Sequence, residues 1–551
     1  MGALTAHRPR GTRAIAIVAA TVSLVTAACS GEGSDGTAAT VSPQPTPATT
    51  TTVPPPASTT STTILQATTT TTTTTIPAVP RYTTANTPIG TLLADPASSA
   101  ILVAHVPSFA TGPMVDLVSD TTLKGIQGYA YTILTDEVLA QIDAELAELT
   151  PLSPENGGGP LYADVNFDEA MVGPYELPDP LVLANGDAVE SADAWWSERR
   201  PEILADYEEL VYGRSPDRPE GEHFEIVETS TPAFDGAALR QRVTIHLTEG
   251  TEGPAIDLVS YVPANAEGPV PMLLVLGFDE PMKVLGDPSL APPVADPSLP
   301  AAVTDMAGAL PTAAYLDAGF GVAAINYLQL DPDTDDGYPE SVRAYFDGAS
   351  ETERPDDSWG AIAAWGWGLS RAQDYLETDA SVDADRVAIY GASRLGRAVL
   401  WAGARDDRFA AVISCCSGKF GGALLRRDFG DALDTLPARW FAPNLQSYLH
   451  DIDSLPVDSN MLLALIAPRP VLLQTGRYDH AADPKGEYLA AVAAGPVFEL
   501  LGSEGLGTEE DAWPVEEPIL GGIGYFMHDG GHGTAAEDWD VFLTFLQQHL
   551  G

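Results

Sequence analysis

Short apolar runs alternate along most of the chain with segments of helical spacing. The segment SWGAIAAWGWGLSRAQDYLE (358–377) has apolar residues three and four positions apart, which predicts a crossover helix between two strands. Almost continuous apolar runs of strand length are typical of a parallel sheet that is covered on both faces. These runs are PMLLVLGF (271–278), GVAAINY (321–327), RVAIYGA (386–392), FAAVISC (409–415), RPVLLQTG (469–476) and PVFELLG (496–502).

Two segments ahead of these runs have a different pattern. HFEIVET (223–229) and LRQRVTIHL (239–247) alternate apolar and polar residues, which predicts antiparallel edge strands. The sequence therefore predicts an α/β domain over residues 161–551. We expect a three-layer sandwich with a mostly parallel central sheet, the architecture of an α/β-hydrolase.

A small, partly helical module is predicted over residues 81–160. TDEVLAQIDAELAEL (135–149) places apolar residues on one helical face, with Thr135 as a plausible N-cap. Such a face is typical of packing against a neighbour. No residue of this module is a candidate for chemistry.

The first 80 residues have the composition of an export leader and a linker. Basic residues precede the apolar run AIAIVAATVSLVTAA (14–28), and residues 1–29 resemble a bacterial lipoprotein signal that ends at Cys29. Lipidation of Cys29 would anchor the chain to a membrane. The alternative is that Cys29 belongs to a signal that is removed. Residues 30–80, rich in Thr and Pro, have too few large apolar groups to fold and predict a disordered linker.

Charge and cysteine content exclude several classes of partner. The 551 residues include 27 Lys and Arg against 77 Asp and Glu, and the net charge of −50 would repel nucleic acid and anionic lipid. We expect membrane contact only through a lipid on Cys29. Cys415 and Cys416 are adjacent, a poor geometry for a disulfide. No pair of ligand side chains has metal-binding spacing on one element, so we expect neither a metal nor a cofactor.

The stretch YGASRLGR (390–397) places Ser393 directly after a predicted strand and ahead of a helix. An α/β-hydrolase holds its nucleophile at such a turn, and Gly391 suits the cramped position two residues earlier. The position two residues after Ser393, where a second Gly is usual, is Leu395. The alternative is therefore that Ser393 only caps a helix.

Two residues later in the chain favour the interpretation of Ser393 as a nucleophile over that of a helix cap. Asp479 lies in the loop after a predicted strand, and His532 lies in the Gly-rich loop HDGGHGTAAEDW (528–539). This is the chain order of nucleophile, acid and histidine in α/β-hydrolases. His528 and His480 compete for the role of base. We expect His528 to line the mouth of the site or pack locally, and His480 to point away from Asp479.

The chain resembles the glucuronoyl esterases, carbohydrate esterase family 15, which cleave the ester between glucuronic acid of xylan and lignin alcohols. The elbow GASRLGR is similar to the Gly-x-Ser-Arg-x-Gly-Lys elbow of that family. The resemblance extends over most of the chain from about residue 161. It includes LPDPLVLANG, WWSERRPEILADYEELVYGR, WGAIAAWGWGLSRAQDYLE, LPVDSNMLLALIAPRPV, DPKGEYL and the closing His loop.

The resemblance implies a role for each matching residue. Ser393 would attack the ester carbonyl, His532 would move the proton, and Arg394 would stabilise the oxyanion.

Three further positions match the residues that hold the sugar in the family. Arg397 stands in place of a Lys, and Asp431, in RDFGDALD, stands in place of a Glu. Trp440, in ARWF, matches a Trp and would either stack on the sugar or pack in the core. The forked Arg and the shorter Asp predict a reshaped pocket.

Members of the family place the acid that orients the histidine in either of two loops. The first position corresponds to Cys416 in SCCSGKFGG, and a thiol cannot stabilise an imidazolium as a carboxylate does. The sequence therefore predicts that Asp479 alone is the acid, with Asp483 capping the segment that follows.

Together these observations predict a secreted or surface-tethered serine esterase, expected to be monomeric, for 4-O-methylglucuronoyl esters that link xylan to lignin alcohols. An acetyl or feruloyl xylan esterase is the alternative within enzymes. A polysaccharide-binding lipoprotein on an inactive hydrolase fold is the alternative outside enzymes, and the intact set of Ser393, Asp479 and His532 argues against it.

Overall fold

A computed structural model describes residues 81–111, 115–152, 156–290, 309–348, 350–508, 512–515 and 517–551. The predicted leader, Cys29 and the linker 30–80 lie outside these residues. Within the described part of the chain, no helix combines the length and the apolar composition that a bilayer span requires.

A ten-stranded mixed sheet forms the centre of the fold, in the order β1-β2-β3-β5-β4-β6-β7-β8-β10-β9. Neighbours from β5 to β10 in this order run parallel, whereas β1, β2 and β3 pair antiparallel, as do β3 with β5 and β9 with β10. The strands are β1 His223–Ala233, β2 Ala238–His246, β3 Ala255–Pro263, β4 Val270–Gly277, β5 Gly321–Asn326, β6 Val382–Ala392, β7 Ala411–Cys415, β8 Val471–Gly476, β9 Ile519–Leu520 and β10 Ile523–His528.

Most of the predicted strands are confirmed, and one is wrong. The run PVFELLG lies at the end of a helix, Pro484–Leu500, that contains Pro496. A short apolar run does not distinguish a buried strand from a buried helix, and this helix packs its apolar residues against β8 and β10. The last long strand is instead β10, whose central residues lie buried between β8 and β9.

The helices lie on both faces of the sheet and in the N-terminal module. Two π-helical segments, Trp195–Arg199 and Tyr207–Val211, flank α8. The helices are α1 Ile89–Ala94, α2 Pro96–His105, α3 Pro107–Ala110, α4 Val115–Val118, α5 Gln127–Ala130, α6 Asp136–Leu146, α7 Ala192–Ala194, α8 Arg200–Asp206, α9 Pro281–Val284, α10 Thr312–Asp317, α11 Val342–Asp347, α12 Ala361–Leu376, α13 Arg394–Arg405, α14 Ser459–Ala464, α15 Pro484–Leu500 and α16 Asp538–Leu550.

Two apolar layers cover the sheet, as the sequence predicted. Alternate residues of β4 enter different layers: Leu274 belongs to the cluster that includes the crossover helix α12, and Leu273 to the cluster that includes α16. The period of two along a strand explains this division. The fold is thus a three-layer α/β sandwich.

The N-terminal module has its own apolar cluster, to which α6 contributes Leu139, Ile142 and Leu146. The predicted N-cap is confirmed, because Thr135 Oγ1 accepts a hydrogen bond from the backbone N–H of Val138. The module packs on the α/β domain through α5, which contacts the short helical turn at 480–482.

Candidate active site

Ser393 occupies a strained turn between β6 and α13. Its backbone angles are φ 57° and ψ −127°, a conformation that residues other than glycine rarely adopt. The Ser393 side chain makes no capping hydrogen bond to the helix that follows. The contact that would define a simple N-cap serine is therefore missing, and the geometry is that of a nucleophile elbow.

Two glycines make this turn possible. A Cβ on Gly391 would lie 2.5 Å from the carbonyl oxygen of Leu395, and a Cβ on Gly396 would lie 2.8 Å from that of Cys415. Both distances are below any normal contact. The second close approach occurs three residues after Ser393, which explains why the elbow tolerates Leu395, a fully buried side chain, at the position before it.

The loops after β8 and β10 bring Asp479 and His532 together. Nδ1 of His532 lies 2.6 Å from Oδ2 of Asp479, whose side chain is completely buried. A carboxylate only accepts, so Nδ1 donates its proton, and Nε2 of the neutral ring is left as an acceptor. Ser393, at the end of β6, approaches the same edge of the sheet, where its N–H donates to the carbonyl of Cys415.

No hydrogen bond joins Ser393 Oγ to His532 within the described part of the chain. Nucleophile–base contacts are often long in structures without substrate and shorten when the ester binds. The structure therefore brings the predicted acid and base into contact and places the elbow on the same sheet edge.

Cys416 lies beside this pair. Its Sγ, a carboxylate oxygen of Asp479 and a ring nitrogen of His532 all lie within 4.8 Å of one another, the single group of this kind among the described residues. Burial raises the pKa of the Cys416 thiol well above its ordinary value, with Cys415 and Asp479 adding to the rise. A protonated thiol is a poor metal ligand, and Asp479 already holds His532, so these residues fit a metal badly. Both cysteines are free.

Arg394 is held by an aspartate that the sequence analysis missed. Its guanidinium forms an ion pair with Asp333, which also accepts from the indole N–H of Trp440 at 2.7 Å and from Arg439 at 2.8 Å. Burial acts to raise the pKa of Asp333, but Arg394 and these two donors hold it below the ordinary value. The carboxylate is thus a fixed anion that orients Arg394. Asp333 stands in an acidic loop without a motif, and no sequence signal marked it.

Trp440 is buried, with 2% of its surface exposed. The guanidinium carbons of Arg394 and Arg397 each lie 5.4 Å from its ring centroid, within the range of a cation–π contact. The packing alternative therefore describes most of this side chain. A sugar contact of Trp440 stays a prediction.

Arg397 and Asp431 are the other two residues predicted to hold the sugar. Arg397 Nε donates to the carbonyl of Lys419 at 2.7 Å, and its terminal nitrogens make no hydrogen bond with any described residue. Burial lowers the pKa of Arg397, and it raises that of Asp431 to about 6, although the charge of Arg397 acts in the opposite direction there. The two charges influence each other without forming an ion pair within 4.0 Å.

The competing histidines have other partners. Nδ1 of His528 lies 2.7 Å from Asp538, and its Nε2 lies 3.0 Å from the carbonyl of Gly531, so His528 packs locally. Nε2 of His480 lies 3.0 Å from Oε1 of Gln127 in the module, and burial lowers its pKa to about 4. The local contacts of His528 agree with its prediction, and the orientation of His480 relative to Asp479 stays a prediction. Asp483 caps α15 as predicted, accepting from Gly486 N–H.

The module contributes to the site, which the sequence analysis did not predict. The ring centroid of Tyr129 lies 5.2 Å from that of His532, and the carbonyl of Gly128 accepts from the N–H of His532 at 3.1 Å. Gly128, the second glycine in KGIQGYAY (124–131), was the available signal, since a glycine within a short helix often marks a close backbone approach.

Comparison with known proteins identifies relatives of this arrangement. Residues 312–502 match a family model described as fungal glucuronyl esterase. Carbohydrate esterase MZ0003, from an unknown prokaryotic organism, is 39% identical over 405 residues, which cover 70% of this chain and 92% of that protein. The 4-O-methyl-glucuronoyl methylesterase 1 of Wolfiporia cocos is 28% identical over 59% of this chain and 72% of its own length.

Solved structures agree with these sequences. A glucuronoyl esterase from Solibacter usitatus has 40% identity and a TM-score of 0.64, and the match covers 70% of this chain and 100% of that one. A family 15 glucuronoyl esterase from Teredinibacter turnerae has 31% identity and a TM-score of 0.62, and the match covers 71% of this chain and 93% of that one. The chain therefore belongs to the glucuronoyl esterases, carbohydrate esterase family 15, and is a carboxylic ester hydrolase with an α/β-hydrolase fold.

Proposed function

We propose that the chain hydrolyses esters of 4-O-methylglucuronic acid with a Ser393–His532–Asp479 triad. The observation that supports this most is the buried Asp479–His532 pair on the sheet edge that also holds the strained Ser393 elbow. The substrate class is the one named for the curated relative from Wolfiporia cocos.

The chemistry follows from these positions. Ser393 Oγ attacks the ester carbonyl carbon while Nε2 of His532 takes its proton, and the carbonyl oxygen becomes an oxyanion. The oxyanion accepts hydrogen bonds from the backbone N–H that follows the nucleophile and from the guanidinium of Arg394, which Asp333 holds in place. Collapse expels the alcohol, which takes the proton back from His532. Water then attacks the acyl-enzyme by the same route, and the uronic acid and Ser393 are released.

Asp479 has two tasks in this cycle. It fixes the tautomer in which Nε2 of His532 accepts, and it stabilises the imidazolium formed during attack. Its complete burial strengthens this interaction, because water does not screen it.

Arg397 and Asp431 would hold the sugar. The terminal nitrogens of Arg397 donate to ring oxygens or hydroxyls, and the carboxyl group of Asp431 accepts from hydroxyls. An acetyl group has neither a ring oxygen nor a hydroxyl for these contacts. Lignin alcohols are the proposed leaving groups, since a pocket that recognises the acid half of the ester leaves the alcohol half outside.

The expected location is outside the cytoplasm. Residues 1–29 have the pattern of an export signal, and a lipid on Cys29 would hold the enzyme at the cell surface with residues 30–80 as a tether. Mass spectrometry of the mature N-terminus tests this. A Cys29 with acyl groups supports the anchor, and an unmodified start beyond Cys29 contradicts it.

One assay tests the substrate class. We expect the wild type to hydrolyse benzyl glucuronate with a higher kcat/KM than acetyl or feruloyl esters of xylan, and Ser393→Ala to lose activity by roughly 10⁴-fold or more with an unchanged melting temperature. A preference for acetyl or feruloyl esters would identify the alternative enzyme. Retained turnover by Ser393→Ala would refute the serine mechanism.

A further inference from the structure

The segment 127–131 of the N-terminal module lies directly against both catalytic loops. A Cβ on Gly531 would lie 1.8 Å from the carbonyl oxygen of Gly128, and a Cβ on Gly128 would lie 2.9 Å from the carbonyl oxygen of Tyr478 and 3.0 Å from the Cα of Asp479. Only a glycine on each side permits this contact. The backbone of the module is therefore packed on the backbone that holds the acid and the base.

Hydrogen bonds and rings fix this contact on both sides. The N–H of His532 donates to the Gly128 carbonyl at 3.1 Å, and Oε1 of Gln127 lies 3.0 Å from Nε2 of His480. Tyr131 stacks on Tyr478, with centroids 5.9 Å apart and an angle of 11° between the planes. An accessory module on a flexible tether would not have such contacts, so this segment supports the loops that hold Asp479 and His532.

Tyr129, in the middle of this segment, lies beside the proposed base. Its ring lies against His532 at a tilt of 35°, and its hydroxyl has no hydrogen-bond partner within the described part of the chain. Burial raises the pKa of Tyr129 well above its ordinary value, and the charges of Asp479 and Asp431 add to the rise while Arg394 opposes it. The phenol therefore stays protonated, and it is subject to the charges of the proposed acid, the proposed oxyanion arginine and the proposed sugar-binding aspartate.

Resting on the proposed function, we propose that Tyr129 is a specificity-determining residue whose hydroxyl hydrogen-bonds to the uronate ring of the bound ester. A phenol both donates and accepts, so it suits a ring hydroxyl or ether oxygen. The charge of Asp431, which we propose to hold the sugar, acts on this hydroxyl. A small acyl ester has no atom that could reach this hydroxyl, so the contact separates uronates from acetyl esters.

The ring and the hydroxyl of Tyr129 have separable effects. Tyr129→Phe keeps the ring against His532 and removes only the proposed bond, whereas Tyr129→Ala removes both. Tyr131→Phe is the matched control, because it deletes a hydroxyl from the same segment at a half-exposed position and keeps the stack on Tyr478.

Steady-state kinetics of the full chain on benzyl glucuronate and on 4-nitrophenyl acetate test the proposal. For Tyr129→Phe we expect KM for the glucuronate to rise about tenfold, the loss of one hydrogen bond, with kcat within about twofold. Both parameters for the acetate should stay within about twofold of wild type. Tyr131→Phe should match wild type on both esters. Binding of methyl glucuronate to a Ser393→Ala background should weaken by the same factor when Tyr129→Phe is added.

Other results would overturn the proposal. Equal losses on both esters would show that Tyr129 only packs His532, and gains on both would show that it obstructs the site. An unchanged KM for glucuronate in Tyr129→Phe would refute the sugar contact while the proposed function stands. Failure of the wild type itself on benzyl glucuronate would refute the proposed function and this inference with it.

Discussion

Two histidines four residues apart, His528 at the end of β10 and His532 in the loop after it, each pair with an aspartate, and only one pair has the geometry expected of a catalytic pair. The Nδ1 of His532 is 2.6 Å from Asp479, and the Nδ1 of His528 is 2.7 Å from Asp538. The contacts of the second ring nitrogen differ. Nε2 of His528 lies 3.0 Å from the carbonyl of Gly531, whereas Nε2 of His532 has no partner within the described residues.

This difference leaves neither ring nitrogen of His528 free. Nδ1 lies close to Asp538 and 3.0 Å from the side-chain nitrogen of Gln474, and Nε2 donates to the carbonyl of Gly531, which only accepts. Burial acts to lower the pKa of His528, but the hydrogen bond to Asp538 and the charge of Asp538 outweigh it and raise the pKa. An Nε2 that donates to a carbonyl cannot take a proton from a serine. The free Nε2, rather than the pairing with aspartate, therefore distinguishes the histidine proposed as the base.

The His528–Asp538 pair supports the loop that holds His532. Asp538, the first residue of α16, also accepts from the N–H of Ala535 at 2.7 Å, so it closes the loop that contains His532. A Cβ on Gly530 would lie 2.9 Å from the His528 ring. The two glycines ahead of His532 are thus required by two different neighbours, the His528 ring and the Gly128 carbonyl.

Replacing the acid of the first pair should have the largest effect. Asp479→Asn is expected to keep the fold and to lower kcat by about 10⁴-fold, because an amide favours the wrong tautomer of His532 and does not stabilise the imidazolium. Steady-state rates on benzyl glucuronate, with melting curves as the control for folding, measure this. A variant with near wild-type kcat would show that another carboxylate orients His532.

Local signals led to the proposed catalytic set. The turn at Ser393 follows a strand and is flanked by glycines, and Asp479 and His532 follow it in the chain order of an α/β-hydrolase, so these signals sufficed to propose them. Asp333 and Tyr129 were missed because their roles depend on contacts with Arg394 and His532, far away in sequence. The same limit explains the fold: periodicity identified the parallel strands but assigned PVFELLG to a strand, since only its packing in α15 defines it as helix.

Disrupting the contact between the module and the His532 loop should have the next largest effect on kcat. Gly531→Ala would push a methyl group against the Gly128 carbonyl and displace His532, and we expect kcat to fall about 10²-fold, since a misplacement of about 1 Å can cost this much. Gly173→Ala is the control, because a Cβ there meets no atom within 4 Å. Equal rates for both variants would show that the module does not constrain the loop.

Breaking the second pair should reduce stability more than catalysis. Asp538→Asn removes a charge-assisted hydrogen bond between buried groups, so we expect a loss of ~2 kcal/mol in the free energy of unfolding and a change in kcat of less than about tenfold. The raised pKa of His528 gives the sign of the pH dependence: its contribution is fully present below about pH 6.5 and is lost as the pH rises through the raised value.

Denaturant titrations at several pH values test this. The difference in stability between wild type and Asp538→Asn should be larger at pH 6 than at pH 9. A 10⁴-fold fall in kcat, as expected for Asp479→Asn, would contradict the distinction between the two pairs.

The smallest effect is expected at Cys416, the position where other family members are expected to hold the acid. Its Sγ lies within 4.8 Å of Asp479 and His532 but makes only weak contacts, accepting from Gly533 N–H at 3.4 Å. Burial keeps the thiol protonated, so it adds no charge to the imidazolium. Cys416→Ala should therefore leave kcat within about threefold of wild type, with ~1 kcal/mol lost from packing.

The converse substitution tests whether the position can replace Asp479. In an Asp479→Asn background, Cys416→Glu places a carboxylate next to the same imidazole, and we expect kcat to recover at least tenfold over Asp479→Asn alone. Cys416→Gln in that background has nearly the same shape without the charge, so it should restore nothing. If the Gln variant recovers as much as the Glu variant, shape rather than charge orients His532. A fall of 10²-fold or more in Cys416→Ala alone would instead make the thiol part of the catalytic set, because the loss of one methyl-sized group does not explain it.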